Sequence, residues 1–329
     1  MNKSFIKKIL KRSTIIQKFF SGIATILTLH RVEKINSNRL PANENMKVSP
    51  EFLEAFIINS KKQGYNFISL DDLYEQLIKR EVKTRPQLLI TFDDGYADNF
   101  KHAYPVLKKH NIPFTIYVTT SFPDNSSILW WFVLEDLILE NNNIIVNDNQ
   151  IFKCDTFKSK NRAFISLRNM ILALPQQELQ KKLSEIFCHY DIDWHEPSKK
   201  YCMSWDQIIN LSKDDNVTIA GHTQNHLALK GLEHDLIIKE IVKGNQIIEN
   251  RIKKKVMHFS YPFGSSNEIN KNVCSIVKQL DLKTATTTMT GNIFFNHRKY
   301  LNILPRFMLT ESFELSELSN VRKKRFVTI

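Results

Sequence analysis

The chain combines 329 residues and a net charge of +12 with only four cysteines. This length is enough for one large domain with a substantial core. None of the cysteines forms a Cys-x-x-Cys pair, which excludes a cysteine zinc cluster and a disulfide-stapled secreted domain. No segment is long and apolar enough to cross a bilayer. No nucleic-acid-reading motif accompanies the positive charge, so a nucleic-acid partner is not expected.

Residues 1–20 predict a basic amphipathic helix. Placed at about 100° per residue, the apolar side chains share one side and most of the lysines the other. The apolar residues are Phe5, Ile6, Ile9, Leu10, Ile16, Phe19 and Phe20. This pattern is typical of a helix on an anionic membrane surface. The alternative is a solvated basic terminus, like the second basic cluster at residues 322–325. A signal peptide is not expected, because no small-residue cleavage site follows.

Apolar, β-prone runs alternate with helical patterns along the rest of the chain. The predicted strands lie near residues 25–29, 66–68, 87–92, 114–118, 216–220, 256–260 and 284–287. Ser49-Pro50 and Ser69 are typical helix starts, and residues 233–251 predict a long helix. Such alternation predicts parallel strands joined by crossover helices, the pattern of a βα barrel. Residues 122–203 interrupt it and predict a mainly helical insertion beside the barrel mouth. Trp205 follows Ser204, an expected N-cap, and is expected in the core.

Two neighbouring carboxylates, Asp93 and Asp94, end the apolar strand at residues 87–92 and precede a glycine turn. Adjacent side chains on a strand point to opposite faces, so such a pair suits a place where the chain leaves the sheet. Like charges side by side raise one pKa unless a cation compensates them. The sequence therefore predicts a metal at this strand end.

Two histidines, His222 and His226, follow another short apolar strand. Residues four apart share a face if the segment makes a helical turn, so both imidazoles could reach one cation. Two histidines and one aspartate leave positions open on a zinc-like ion, which is typical of a catalytic site.

These motifs resemble the polysaccharide deacetylase family, carbohydrate esterase family 4. The run from Thr91 to Gly95 matches its first signature and His222-Thr223-x-x-His226 its second. Tyr261-Pro262-Phe263-Gly264 resembles the third, which usually carries an arginine just before its Pro-aromatic pair. That arginine is missing here, where Ser260 and Tyr261 stand. The resemblance spans roughly residues 25 to 306. It implies an α/β fold, a distorted and incomplete (β/α)7 barrel, within a single domain of residues 1–329.

The resemblance also implies roles for individual residues. Asp94, His222 and His226 would hold a divalent metal ion, and Zn²⁺ is expected because the ligand atoms are nitrogen and oxygen. Asp93 would be the general base that activates the metal-bound water. Backbone groups in the segment Tyr261, Pro262 and Phe263 would help to bind the oxyanion. Trp130 and Trp131 could stack on sugar rings, although packing in a helix is the commoner role.

The general acid and the missing arginine have candidates elsewhere. His30 ends the first strand, as in the permuted poly-N-acetylglucosamine deacetylases of bacterial biofilms, and is the predicted acid. His297 is the other histidine considered, and His30 could instead only cap its strand. For the arginine that orients Asp93, Arg306 is the first candidate and Arg31 the second.

Together these features predict a metal-dependent N-deacetylase of an N-acetylated surface glycan or of its lipid-linked precursor. The expected location is cytoplasmic and peripheral, at the inner face of the bacterial inner membrane. Alternatives are an O-deacetylase and a peptidoglycan or chitin-oligosaccharide deacetylase. The alternative from a different functional class is an inactive glycan-binding relative, which would purify without a stoichiometric metal ion.

Overall fold

The computed structural model describes residues 22–81, 83–147 and 150–319. The predicted amphipathic helix at residues 1–20 and the basic cluster at residues 322–325 lie outside the described residues. Within the described ranges, no helix has both the length and the apolarity needed to cross a membrane.

A curled parallel sheet forms the centre of the molecule. The strands in chain order are β1 Ala24–Leu29, β2 Arg31–Val32, β3 Lys47–Val48, β4 Asn66–Phe67, β5 Gln87–Phe92, β6 Phe114–Val118, β7 Asn143–Val146, β8 Gln150–Lys153, β9 Val217–Gly221, β10 His258–Ser260, β11 Thr284–Thr286 and β12 Phe307–Met308. Seven of them follow one another across the sheet in the order β11-β10-β9-β6-β5-β1-β12, all parallel. They curl through 246°, which confirms the predicted incomplete barrel.

Helices connect the strands and cover the outside of the sheet. In chain order the α-helices of the described ranges are α1 Pro41–Glu44, α2 Pro50–Lys62, α3 Leu70–Lys79, α4 Tyr104–Lys109, α5 Trp130–Glu140, α6 Phe157–Leu172, α7 Leu179–Ile186, α8 Glu196–Tyr201, α9 Trp205–Leu211, α10 His234–Ile252 and α11 Lys271–Gln279. Ser49, Ser69 and Ser204 each accept a backbone amide of the first turn, as their sequence context predicts. The strands β1, β5 and β6 are buried along their whole length, because helices cover one face and interior side chains the other.

The seven strands of the barrel differ from the seven predicted strands in one member. The segment predicted near residues 66–68 is β4, which only pairs beside the start of β5 and lies off the main path. The seventh strand is β12, which pairs with β1. Just before it, Leu304 makes a parallel bridge to Thr286 of β11. The segment from Leu304 to Met308 therefore reaches both edges of the sheet, and it carries Arg306 between those two contacts.

Residues 122–203 contain four helices, α5 to α8, and the antiparallel hairpin β7–β8. Their apolar side chains pack mainly with one another, in a cluster that also includes Tyr96 from the barrel. Trp130 and Trp131 are buried in that cluster, so neither presents an open face for stacking on a sugar. Trp205, in contrast, packs in the main barrel core, as predicted.

Candidate active site

The two neighbouring aspartates lie directly after β5, buried at the carboxyl end of the sheet. Their exposed fractions are 2% for Asp93 and 4% for Asp94. Asp94 has a φ of 73° and Gly95 a φ of 76°, both in the left-handed region. This turn takes Asp94 out of the strand's alternation, so that both carboxylates can face the same end of the barrel. A positive φ at a non-glycine residue is a local strain that concentrates at functional sites.

Asp93 forms a buried, bidentate ion pair with Arg306. Nη1 and Nη2 of Arg306 each donate to one carboxylate oxygen of Asp93 at 2.7 Å. The other donors are used as well: Nη1 bonds Thr91 Oγ1 at 3.2 Å, Nη2 bonds Ser260 Oγ at 3.0 Å and Nε bonds Thr287 O at 2.9 Å. The arginine is fully buried. All five of its N–H groups are thereby satisfied.

The pKa of Asp93 lies below its ordinary value. Burial acts to raise it, and the charge and hydrogen bonds of Arg306 more than offset burial, with smaller contributions from His222 and His30. Asp93 is therefore an ionised carboxylate held in one orientation, which is the state that a general base requires.

The two histidines approach Asp94 from the loop that follows β9. Their Nε2 atoms lie 3.3 Å (His222) and 3.1 Å (His226) from Asp94 Oδ1. The expected helical turn is wrong, because the loop is irregular and both Thr223 and His226 have positive φ values, 66° and 56°. A tight loop of left-handed residues thus replaces the helical spacing in bringing the imidazoles together.

Helix α10 holds this histidine loop in place. The carboxylate of Glu240 accepts the amide and the side chain of Asn225 at 2.9 and 2.6 Å, and its carbonyl accepts the amide of Gln224. Gly244 lets the helix approach closely, since a Cβ there would lie 2.9 Å from the carbonyl carbon of Thr223. Sequence analysis missed both residues. Glu240 carried a weak signal as an acidic residue on the apolar face of a helix.

Asp94, His222 and His226 fit a divalent metal. One ligand atom from each lies within 4.8 Å of the other two. Tetrahedral zinc bonds of roughly 2.1 Å imply ligand atoms about 3.3 Å apart, close to the two distances above. His222 Nδ1 lies 2.7 Å from the carbonyl oxygen of Ser260, which fixes its proton there and leaves Nε2 free to ligate. Asp94 Oδ1 is buried and has no hydrogen-bond partner among the described residues. A cation would satisfy it.

His30 follows β1, beside the aspartates. The register pairs Leu29 with Phe92, and Asp93 donates its amide to the carbonyl oxygen of Leu29 at 3.0 Å. The charge of His30 makes a small contribution to lowering the pKa values of Asp93 and Asp94. Its Nδ1 is buried and has no hydrogen-bond partner within the described ranges.

The two alternative candidates lie away from this cluster. Arg31 does not contact Asp93, because its guanidinium bonds Asp98 and Glu33 at 2.7 Å each. His297 is buried in a 3-10 helix, where its Nδ1 accepts the amide of Phe294. Arg306 is thus the arginine that the fold brings onto Asp93.

The third motif differs from the prediction for the oxyanion donors. Tyr261 is excluded because its amide donates to the carbonyl oxygen of Thr286 at 3.1 Å and its ring is in the core. Pro262 has no N–H. Of the three, only Phe263 can offer an amide, at a φ of 58°. Its ring packs at 4.7 Å from the ring of His226.

The insertion supplies one wall of the site. The Trp131 ring lies 5.4 Å from that of His226, and Trp131 Nε1 donates to the Tyr96 hydroxyl at 3.1 Å. Burial and then the charge of Asp94 raise the pKa of Tyr96 well above its ordinary value, so its hydroxyl stays protonated beside Asp94. Tyr96 follows the Asp-Asp-Gly run directly, and its position there was the only available signal.

Comparison with known proteins identifies the family. A family model described as polysaccharide deacetylase matches residues 80–285, more than half of the chain. The chain belongs to the polysaccharide deacetylase family. It is therefore a hydrolase of the carbohydrate esterase 4 type.

Individual relatives are similar over different lengths. YxkH of Bacillus subtilis (strain 168), provisionally assigned as a polysaccharide deacetylase, is 34% identical over 93 residues, which cover 28% of this chain and 30% of that protein. The match thus spans less than a third of this relative.

Solved structures share the fold at low identity. The deacetylase PplD of Streptococcus pyogenes, solved with acetate, has a TM-score of 0.60 at 18% identity, over 88% of this chain and 93% of its own. IcaB from Ammonifex degensii reaches 0.56 at 16%, over 88% and 92%. The de-N-acetylase from Aggregatibacter actinomycetemcomitans reaches 0.56 at 16%, over 89% and 97%. These similarities support the barrel architecture.

The ligand set predicts the behaviour of a histidine variant. His222→Ala removes one of three metal ligands, so the purified protein should contain far less zinc by elemental analysis while its circular dichroism stays that of the folded protein. His234→Ala is the matched control, because His234 is an exposed histidine at the start of α10 and is not one of the three candidate ligands. Full zinc occupancy in His222→Ala would show that the ligands lie elsewhere.

Proposed function

We propose that this polysaccharide deacetylase is a metal-dependent N-deacetylase, which removes acetyl groups from N-acetylated sugars of a surface glycan. The observation that carries the proposal is the meeting of three metal-ligand side chains with an arginine-held carboxylate. Asp94, His222 and His226 form the first group, and Asp93 with Arg306 the second. The donor set fits Zn²⁺ best among the common divalent ions.

In this proposal Asp93 takes the proton from the attacking water. Its bidentate bonds to Arg306 fix both carboxylate oxygens, so the base does not have to reorganise during the reaction. A divalent ion held by the three ligands would lower the pKa of water and polarise the acetyl carbonyl. Phe263 lies in a turn of positive φ and its ring packs against that of His226. In this proposal its backbone amide donates to the developing oxyanion.

His30 is the proposed general acid. An amine is a poor leaving group unless it is protonated, so cleavage of an amide needs a donor close to the reacting nitrogen. His30 stands at the end of the neighbouring strand β1, and its buried Nδ1 lacks a partner in the described part of the chain. The similarity in fold to the de-N-acetylase from Aggregatibacter actinomycetemcomitans also favours an N-acetyl substrate.

These roles predict different losses for two variants. With zinc bound, the protein should release acetate and a free amine from N-acetylglucosamine oligomers. Asp93→Asn should abolish release, because an amide cannot take the proton. His30→Ala should slow amide cleavage by roughly 10²–10⁴-fold but retain hydrolysis of 4-nitrophenyl acetate, whose leaving group needs no protonation. A coupled acetate assay measures hydrolysis of both substrates, and amine labelling measures cleavage of the N-acetyl substrate.

His297→Ala is the matched control, and it should cleave both substrates at the wild-type rate. Near-normal amide cleavage by His30→Ala would refute the assignment of the acid. Acetate release from O-acetylated but not from N-acetylated oligomers would replace the proposal by an O-deacetylase. A preference for chitin or peptidoglycan fragments would redirect it to those polymers.

We further propose that the protein works as a peripheral protein on the cytoplasmic face of the bacterial inner membrane, where a lipid-linked glycan precursor would be accessible. The support is the sequence of residues 1–20, which carries Lys3, Lys7, Lys8, Lys11, Arg12 and Lys18. Basic side chains beside an apolar stripe favour adsorption to anionic lipid.

Removing residues 1–18 should release the protein from anionic vesicles in a flotation assay. High salt should weaken the binding of the full chain, because ions screen surface charge. A full-length variant with Lys3, Lys7, Lys8 and Lys11 changed to Glu tests charge alone, and it should also fail to float. Equal flotation of all three proteins at low salt would remove the membrane proposal.

A further inference from the structure

Arg168, an arginine of the insertion, contacts a residue of the candidate active site, Phe263. Arg168 lies on α6, and its guanidinium carbon is 6.0 Å from the centre of the Phe263 ring. That same ring is 4.7 Å from the ring of His226. The distance from the guanidinium carbon of Arg168 to the centre of the His226 ring is therefore at most the sum of these two distances. A sugar next to the one bound at His226 would span this distance. None of the deacetylase motifs includes this residue.

The charge of Arg168 is poorly compensated by the protein. Burial lowers its pKa, and only the charge of Glu268 acts in the other direction. Within the described residues, Arg168 forms neither a salt bridge nor a side-chain hydrogen bond, and the carboxylate of Glu268 is bonded by the Ser265 hydroxyl instead. A partly desolvated guanidinium without an ionic partner is unfavourable, so an anion arriving at this point gains affinity.

Two arginines that are more deeply buried than Arg168 behave differently. Arg31 and Arg306 each bond carboxylates at 2.7 Å, and their pKa values are raised. Arg39, which is also half-buried, is paired with Glu135 at 2.7 Å. Arg168 thus stands out as a guanidinium whose donors are left for a ligand.

We propose that Arg168 binds an anionic group, a carboxylate or a phosphate, on a sugar next to the N-acetylated sugar that is deacetylated. This inference rests on the proposed function and specifies its substrate as an anionic glycan. The planar guanidinium donates two parallel N–H bonds, which match the oxygens of either anion. A neutral hydroxyl could accept one bond but would leave the charge uncompensated. The net charge of +12 also favours the approach of a polyanionic chain.

The competing role is structural, since Arg168 could only pack on Phe263 and so support His226. Loss of that packing would lower the rate on every substrate, charged or not. Loss of an anion contact would instead raise KM for anionic substrates alone. The two roles therefore separate by substrate charge and by the split between KM and kcat.

The test compares Arg168→Ala, Arg168→Lys and a control, Arg162→Ala, which changes an exposed arginine of the same helix. Three soluble substrates are used: a neutral N-acetylglucosamine oligomer, an oligomer alternating N-acetylglucosamine with glucuronate, and an N-acetylglucosamine oligomer carrying a phosphodiester. Arg168→Ala should raise KM about 10- to 100-fold for one or both anionic substrates, with kcat nearly unchanged. The neutral oligomer should be unaffected, and Arg168→Lys should be intermediate. The two anionic arms distinguish carboxylate from phosphate.

Binding in the absence of turnover keeps this inference separate from the proposed reaction. In an Asp93→Asn background, calorimetry should show that Arg168→Ala weakens binding of the glucuronate or the phosphodiester oligomer by a similar factor, and that Arg162→Ala does not. Equal effects of Arg168→Ala on neutral and anionic oligomers, or none on any of them, would overturn the inference. This holds whether or not the wild-type protein deacetylates these oligomers.

Discussion

The buried pair of Arg306 and Asp93 is the interaction on which the rest of the site depends. Both side chains are removed from water, and two charges at such a depth are tolerated only when their hydrogen bonds are complete. Here they are complete, because strand ends on opposite sides of the barrel mouth supply Thr91, Ser260 and Thr287 as partners. Breaking the pair would leave an uncompensated charge in the core and a base free to rotate.

This pair also connects the proposed base, Asp93, to the candidate metal ligands through one residue, Ser260. The hydroxyl of Ser260 accepts from Arg306, while its carbonyl oxygen contacts Nδ1 of His222. The orientation of a ligand imidazole and the orientation of the base are therefore set by the same short strand, β10. From the other side, the insertion closes the site with Trp131 against His226 and Tyr96. The proposed catalytic groups therefore come from the barrel, and the insertion contributes one wall of the site.

Much of the barrel and the positions of the motifs could be predicted from the sequence. Buried parallel strands give continuous apolar runs, and polar residues just after them must meet at one edge of the sheet. On this basis Asp93, Asp94, His222 and His226 were correctly predicted to lie at the carboxyl end of the sheet. It also suggested Arg306, but only as a candidate, because its contact with Asp93 spans 213 residues and leaves no local pattern.

Other features could not be predicted, for identifiable physical reasons. The strand β12 has two residues, too few for any periodicity to register. The histidine loop relies on positive φ values at Thr223 and His226, which residue type does not reveal. Tyr261 was predicted as an oxyanion donor, but its amide already donates a hydrogen bond to Thr286 of the sheet.

The most direct test of the account is a double-mutant cycle on Arg306 and Asp93, measured as hydrolysis of 4-nitrophenyl acetate by zinc-loaded protein. If Arg306 acts through Asp93, Arg306→Gln should lower the hydrolysis rate of the wild-type protein by about 100-fold. In the Asp93→Asn variant the same change should lower the rate by no more than about 2-fold, because the effects of coupled residues are not additive. Circular dichroism and zinc content confirm that each variant is folded and loaded, and Arg306→Lys serves if the glutamine variant does not fold. Losses that simply multiply in the double variant would contradict the account, because the two residues would then act independently.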